Sequence, residues 1–236
     1  MKIRRLLILT AALLAPVPAV AEEWIIPRTT YYISADEQRM PDFPAPPAAG
    51  SRADRRDLAI VEDWQNRRTA GECARANAGA HAGYDEFFGD ISPFPRPLPP
   101  AAAAVFQRVK TETDGVAADI KDMFKRQRPF LRDPALDPCL GRIGGLAYPS
   151  GHATISRLFA LMLADLAPSR KKEFFARADA AALDRVIGGV HHPSDIEAGK
   201  RLAEKLYKRY RKSPVFRADL ETLRALLLKE EAANGK

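Results

Sequence analysis

The sequence predicts an all-α protein: a single helical-bundle domain behind an extended, Pro-rich N-terminal arm. Three observations carry that expectation. Apolar side chains recur every three or four positions over long stretches of the 236-residue chain. Runs that alternate apolar and polar residues, as strands do, are nearly absent. The 19 prolines cluster between the periodic stretches rather than inside them. With 46% hydrophobic and 28% charged residues the chain can bury a sizeable core, so disorder is not expected. The 14 glycines follow no collagen-like period, and two cysteines are too few for a disulfide-dense mini-protein.

Taken in order, residues 1–21 read as a secretory signal. Lys2, Arg4 and Arg5 form a charged start, an apolar run follows, and Ala19-Val20-Ala21 offers small residues for cleavage. The apolar run is too short for a membrane anchor and is broken by Pro16 and Pro18. Residues 22–50, with Pro41, Pro44, Pro46 and Pro47, suit an extended arm, and residues 51–236 form the helical domain. Helical spacing starts near Ala53, with Leu58, Val61 and Trp64 three apart, and Ala-rich sequence continues to Ala82. Five prolines between 92 and 100 make a rigid connector. Val105, Val109, Val116, Ile120 and Phe124 mark a long helix over 101–127, predicted to end near Arg128 because Pro129 disfavours a helical residue before it. A Pro/Gly-rich loop spans 129–151. Helices are then expected at 152–167, 170–187, 194–212 and about 215–232, the last carrying Phe216, Leu220, Leu223 and Leu227.

The formal charge is +7, but residues 1–21 contribute three basic and no acidic side chains, so the chain without them carries +4. That weakens a nucleic-acid reading. No later segment reaches the ~20 apolar residues that span a bilayer. The best candidate, 153–167, holds Arg157 and Asp165. The expectation is a soluble protein, periplasmic or secreted after cleavage near Ala21. Export in turn favours a Cys73–Cys139 disulfide over two separate buried thiols.

Three stretches carry the chemistry. In the first, Lys121 and Arg128 stand seven apart, two helical turns, which would project both heads from one face; the same spacing also suits an ordinary solvated face. In the second, Ser150-Gly151-His152 opens a helix. Ser150 suits the N-cap, Gly151 admits an anion close to the backbone, and His152 falls in the first turn. In the third, Arg185 precedes His191 and Asp195, the last two four apart at the entry to another helix. Asp195 can fix one imidazole nitrogen and leave the other as nucleophile or ligand. Three of the four histidines lie in these stretches. Metal spacing of the HxxxH or HxH kind is missing, and adjacent His191 and His192 do not readily point one way. Cations gathered around histidine argue for an anionic substrate.

Together the stretches resemble the signature of the phosphatidic acid phosphatase type 2 superfamily: K-x6-RP as Lys121, Arg128 and Pro129; PSGH as Pro149, Ser150, Gly151 and His152; and R-x5-H-x3-D as Arg185, His191 and Asp195. The signal segment and the lack of spans are similar to the soluble bacterial class A non-specific acid phosphatases. Asp184 departs from the pattern, standing where the family usually has Ser; a carboxylate beside Arg185 can compete with phosphate for that cation or tilt the substrate preference. The resemblance implies a metal-independent acid phosphatase that hydrolyses phosphate monoesters and needs no cofactor. His191 would be the nucleophile, forming a phosphohistidine, with Asp195 orienting it. His152 would be the general acid and then base. Lys121, Arg128, Ser150, Gly151 and Arg185 would hold the phosphate. It also implies vanadate sensitivity, a bell-shaped pH profile on the acid side, a small phosphate-ester substrate and a possible homo-oligomer, with no nucleic acid and no integral membrane segment. His192 falls between the matched positions and is given no chemical role. The alternatives are an exported lipid-phosphate or diphosphate phosphatase and, from another class, a non-catalytic anion-binding protein.

Overall fold

In the computed structural model, residues 29–234 are described; the expected signal segment lies outside them. All regular structure among the described residues is helical. Helix α1 (Ala35–Gln38) is a single turn fixed by a capping box between Ser34 and Glu37. Around it, residues 29–50 lie on the body of the protein. Tyr32, Ile33, Met40 and Phe43 are buried, and the backbone N–H groups of Tyr32 and Ile33 donate to the Glu112 carboxylate at 2.8 and 3.1 Å.

The helical stretch expected from Ala53 to Ala82 is two helices, α2 (Arg52–Arg67) and α3 (Ala70–Ala78). Ser51 caps the first. Thr69 and Glu72 form a capping box that begins the second immediately after it, so the chain turns at Arg68. A disulfide joins Cys73 on α3 to Cys139 in the loop before the bundle centre. Short α4 (Tyr84–Phe88) leads through a 3-10 turn and the proline connector to α5 (Pro100–Phe124). Proline at the start of α5 forfeits no hydrogen bond, since the first-turn N–H groups have no helical partner.

Helix α5 ends four residues before the point that Pro129 alone dictates. Lys125 adopts the left-handed conformation, φ 46°, and swings Arg126 into a buried acidic cluster. Arg128 is extended, as a residue before proline should be, and caps the single-turn α6 (Pro129–Arg132). Lys121 and Arg128 therefore do not share a helix face.

The remaining elements are α7 (Gly151–Leu166), α8 (Lys171–Ile187), α9 (Pro193–Tyr210) and α10 (Pro214–Asn234). Helix α7 is apolar around most of its circumference, and ten of its residues are buried. A helix of that kind belongs at the centre of a bundle, and α7 packs against α8 and α9, with α5 and α10 also against it. Leu158 and Leu163 have no exposed surface, and truncating either to Ala would cost about 2–5 kcal/mol. Tyr84 stacks on Phe106, and Phe159 meets Phe106 edge-on, joining α4, α5 and α7. One glycine sets the closest crossing. A Cβ on Gly199 of α9 would stand 2.6 Å from the Ser150 carbonyl and 2.9 Å from Ala153. Only glycine lets α9 approach the start of α7 this closely, and that contact brings two of the three chemical stretches together.

Candidate active site

The site lies where the N-termini of α7 and α9, the C-terminus of α8 and the segment after α5 converge. Ser150 is the N-cap of α7: its Oγ accepts the Ala153 N–H at 3.4 Å. Its own N–H donates to the Asp195 carbonyl at 3.0 Å, across the Gly199 crossing. Gly151 is the first helical residue, and a Cβ there would meet nothing within 4 Å, so the N-terminus of α7 has room for an anion beside its free N–H groups.

The expected cations are all at hand, held from different elements. The Lys121 ammonium donates to the carbonyls of Leu146 and Pro149 at 2.6 and 2.7 Å. Burial, then the neighbouring Arg128 charge, lowers its pKa to about 8. Arg128 donates to the Gly144 and Gly145 carbonyls at 3.1 Å and to that of Val190 at 2.8 Å. The two side chains thus reach opposite ends of the same 144–149 loop. Arg185, at the end of α8, is 3% exposed, yet its Nε and Nη1 have no hydrogen-bond partner. A guanidinium buried with unpaired donors is costly. Burial first, and Arg128 second, bring its pKa to about 10, so it stays charged at neutral pH.

His191 follows a turn in which Gly189 takes φ +78°, a conformation glycine adopts without strain. The Arg185 carbonyl accepts the N–H groups of both Val190 and His191, which fixes the imidazole against the end of α8. Arg128 Nη1 lies 3.3 Å from His191 Nε2. Since arginine only donates, Nε2 is the acceptor and the ring proton is assigned to Nδ1. That nitrogen faces Asp195 Oδ2 at 3.5 Å, too far for a hydrogen bond, and has no other partner. Burial is the main force holding His191 well below the usual histidine range, against the pull of Asp195.

His152 stands in the first turn of α7 with Nε2 2.9 Å from the Ala80 carbonyl and its ring edge-on to Phe87. A carbonyl only accepts, so this nitrogen carries the proton. Burial, then Arg185, lowers the pKa of His152 to about 3. Ala80 is positioned by α3. The Cys73–Cys139 bond, the Asn77 amide on the Cys139 carbonyl at 3.0 Å, and Arg75 bidentate on Asp184 tie that helix down. The Asp184 carboxylate is paired with Arg75, at 2.8 Å.

Behind these groups lies a buried charge network that sequence reasoning missed. Asp195, with no exposed surface, occupies the third position of α9, and its Oδ2 accepts the N-cap N–H of His192 at 2.7 Å. The same oxygen takes His192 Nδ1 at 2.9 Å, so both imidazoles do turn toward one atom. Oδ1 accepts Arg126 Nη1 at 2.7 Å. Arg126 also donates to Ser194, Asp57 and Asp54 at 2.6, 2.8 and 3.3 Å. Arg132 doubly bonds Asp54 and donates to His192 Nε2 at 3.1 Å. Burial alone would raise the Asp195 pKa, but the two imidazoles, His191 first and then His192, hold it ionised well below the usual carboxylate range. One signal was available: Asp54, Asp57 and Val61 share a stripe at helical spacing, and all three are buried. Among the described residues, no group of three or more His, Cys, Asp or Glu side chains is arranged to hold a metal ion.

The PAP2 superfamily profile matches residues 103–203, which contain all eight expected site residues. Over that stretch the chain is similar to the PAP2 superfamily. It is 32% identical over 139 residues to the acid phosphatase of Zymomonas mobilis, covering 56% of this chain and 51% of that protein. It is 33% identical over 127 residues to the non-specific acid phosphatase of Salmonella typhi, covering 48% and 50%. A longer match, 27% identical over 198 residues and 76% of both chains, is to the non-specific acid phosphatase of Providencia stuartii. The chain thus spans about half the length of the first two relatives. Among solved structures, the transmembrane PAP2-type phosphatidylglycerolphosphate phosphatase of Bacillus subtilis shares the fold. Its TM-score is 0.50 at 18% identity, over 70% of this chain and 88% of that one. Unlike that transmembrane protein, this chain has among its described residues no helix long and apolar enough to cross a membrane.

Proposed function

We propose that this chain is an exported acid phosphatase that hydrolyses phosphate monoesters by a covalent, metal-independent mechanism. The observation that carries the proposal is the buried Arg185 guanidinium with two unpaired donors, next to the cations Arg128 and Lys121 and the free N-terminus of α7. A phosphoryl group placed there satisfies those donors. It also meets three positive charges, which is what a transition state with charge spread over its equatorial oxygens requires. The relatives named acid phosphatase support the same chemistry, and the Cys73–Cys139 bond supports an oxidising compartment.

His191 Nε2 attacks phosphorus in line, and the alkoxide leaves with a proton from His152. Phosphate takes Arg128 from Nε2 and so frees the lone pair. The Nδ1 proton stays on the ring and turns toward Asp195, which stabilises the phosphoimidazolium. His152, neutral in the ligand-free site, gains its proton as the phosphate dianion approaches, because a nearby negative charge favours the charged imidazole. It then takes a proton from water for attack on the phosphohistidine. A bell-shaped rate on the acid side follows, since one imidazole acts neutral and the other protonated.

The test is hydrolysis of p-nitrophenyl phosphate near pH 5–6 with EDTA present, in wild type and His191→Ala. Turnover that survives the chelator and vanishes in the variant is expected. Equal turnover in both proteins would overturn the assignment of the nucleophile.

A further inference from the structure

We propose that His192, the residue after the nucleophile, is a positioning residue that shares Asp195 with His191 and limits the support the carboxylate gives to a proton on His191. The proposal rests on His191 being the nucleophile. It draws on the arrangement of one buried oxygen between two imidazoles. Asp195 Oδ2 lies 2.9 Å from His192 Nδ1 and 3.5 Å from His191 Nδ1. Only the first distance is a hydrogen bond.

His192 is locked in this role from its far side. It has no exposed surface, and Arg132 Nη1 donates to its Nε2 at 3.1 Å. Because arginine has no acceptor, Nε2 must be unprotonated and the ring proton must sit on Nδ1, aimed at Asp195. Arg132 is itself fixed by two bonds to Asp54, at 2.8 and 2.6 Å. The sequence Asp54–Arg132–His192–Asp195 is a chain of oriented donors and acceptors running from α2 through α6 to α9. A second proton on His192 would have to displace Arg132.

The consequence falls on the nucleophile. The charged groups facing His191 are Asp195 from α9, Arg128 at the cap of α6 and Lys121 from α5. Two of the three are cations and favour the neutral ring; only Asp195 favours the protonated one. Asp195 already accepts from Arg126, from the His192 N–H and from the His192 ring. Each of those bonds spreads the carboxylate charge, and the two from His192 occupy Oδ2, the oxygen that faces His191. Attack requires an unprotonated Nε2, so weakening the carboxylate's hold keeps His191 competent to lower pH. Once phosphorus bonds to Nε2, the ring becomes cationic and the balance at Oδ2 shifts toward His191.

The decisive comparison is the pH dependence of kcat/KM for p-nitrophenyl phosphate in wild type, His192→Phe and His192→Asn. Phenylalanine fills the space without a donor, leaving Oδ2 to His191. The acid limb should move up by about one pH unit. Asparagine places an N–H near the position of Nδ1 and should return the limb toward wild type. A His192→Phe limb that coincides with wild type, or an Asn variant that behaves like Phe, would overturn the proposal. Imidazole nitrogen NMR of the wild type needs neither variant nor turnover. At neutral pH His192 should be the Nδ1–H tautomer, and a ring proton on Nε2 in its place would overturn the proposal. Should wild type leave the ester uncleaved, the phosphatase assignment fails and the NMR result alone decides the placement of His192.

Discussion

Replacing Arg126 with Met tests whether the buried network is a stabilising part of the fold rather than an incidental cluster. The side chain of Arg126 is 6% exposed and reaches Asp195, Asp57 and Asp54, whose side chains are 0%, 8% and 3% exposed. Methionine replaces the apolar stem, so the lost volume is small and the lost charge dominates. Asp54 keeps Arg132 and the Gly50 N–H, and Asp195 keeps His192. Among the bonds described here, Asp57 keeps only Ser194. Removing one partner from a buried ion pair costs about 3–5 kcal/mol, because the remaining charge is stranded. The pH dependence gives a second signature. In wild type, Asp54 and Asp195 are held below their ordinary values, so their contribution is present above the unfolded carboxylate range and is lost as pH falls through the folded values. In the variant, stranded carboxylates bind protons more readily than in the unfolded chain, so acid relieves them. The stability deficit should therefore narrow on going from about pH 7 to about pH 4.5. Urea unfolding followed by far-UV circular dichroism measures both. A deficit under about 1 kcal/mol at neutral pH, or one that widens in acid, would refute the reasoning.

Three further outcomes are expected. Asp184→Ser should cost under about 1 kcal/mol and leave kcat/KM within about fivefold, because its partner Arg75 is 54% exposed; a tenfold gain would mean that Asp184 does act on Arg185. Cys139→Ser should lower stability by about 4 kcal/mol on the chain-entropy account, given the separation of 66 residues between the paired cysteines, and reductant should remove the difference from wild type. Inorganic phosphate should raise the His152 pKa from about 3, followed by imidazole NMR, and by linkage phosphate should bind more tightly as pH falls. An unmoved His152 would place it away from the anion.

Much of the bundle was legible because its helices announce themselves locally. Phe216, Leu220, Leu223 and Leu227 repeat at helical spacing and are all buried, and Ser150 caps α7 as its type suggests. The boundary of α5 was not legible. Proline fixes only the residue before it, while the early end at Phe124 comes from tertiary attraction between Arg126 and three distant carboxylates. The motif residues do gather at one site, but Lys121 and Arg128 meet through the 144–149 loop rather than along a helix face. Asp54 and Asp57 stand among other charged residues in α2. Their burial depends on partners about 70 positions away in sequence. His192 falls between the matched positions, so the motif gives it no role. Placing His192 at the N-cap of α9 turns its ring back onto Asp195.

The most direct test of the account is to trap the intermediate. Wild type mixed rapidly with a phosphate ester labelled in its phosphoryl group, quenched and digested, should carry the label on His191. The adduct should resist alkali and be lost in acid, and it should be absent from His191→Ala. Turnover by wild type with no label on His191, or label on another side chain, would contradict it.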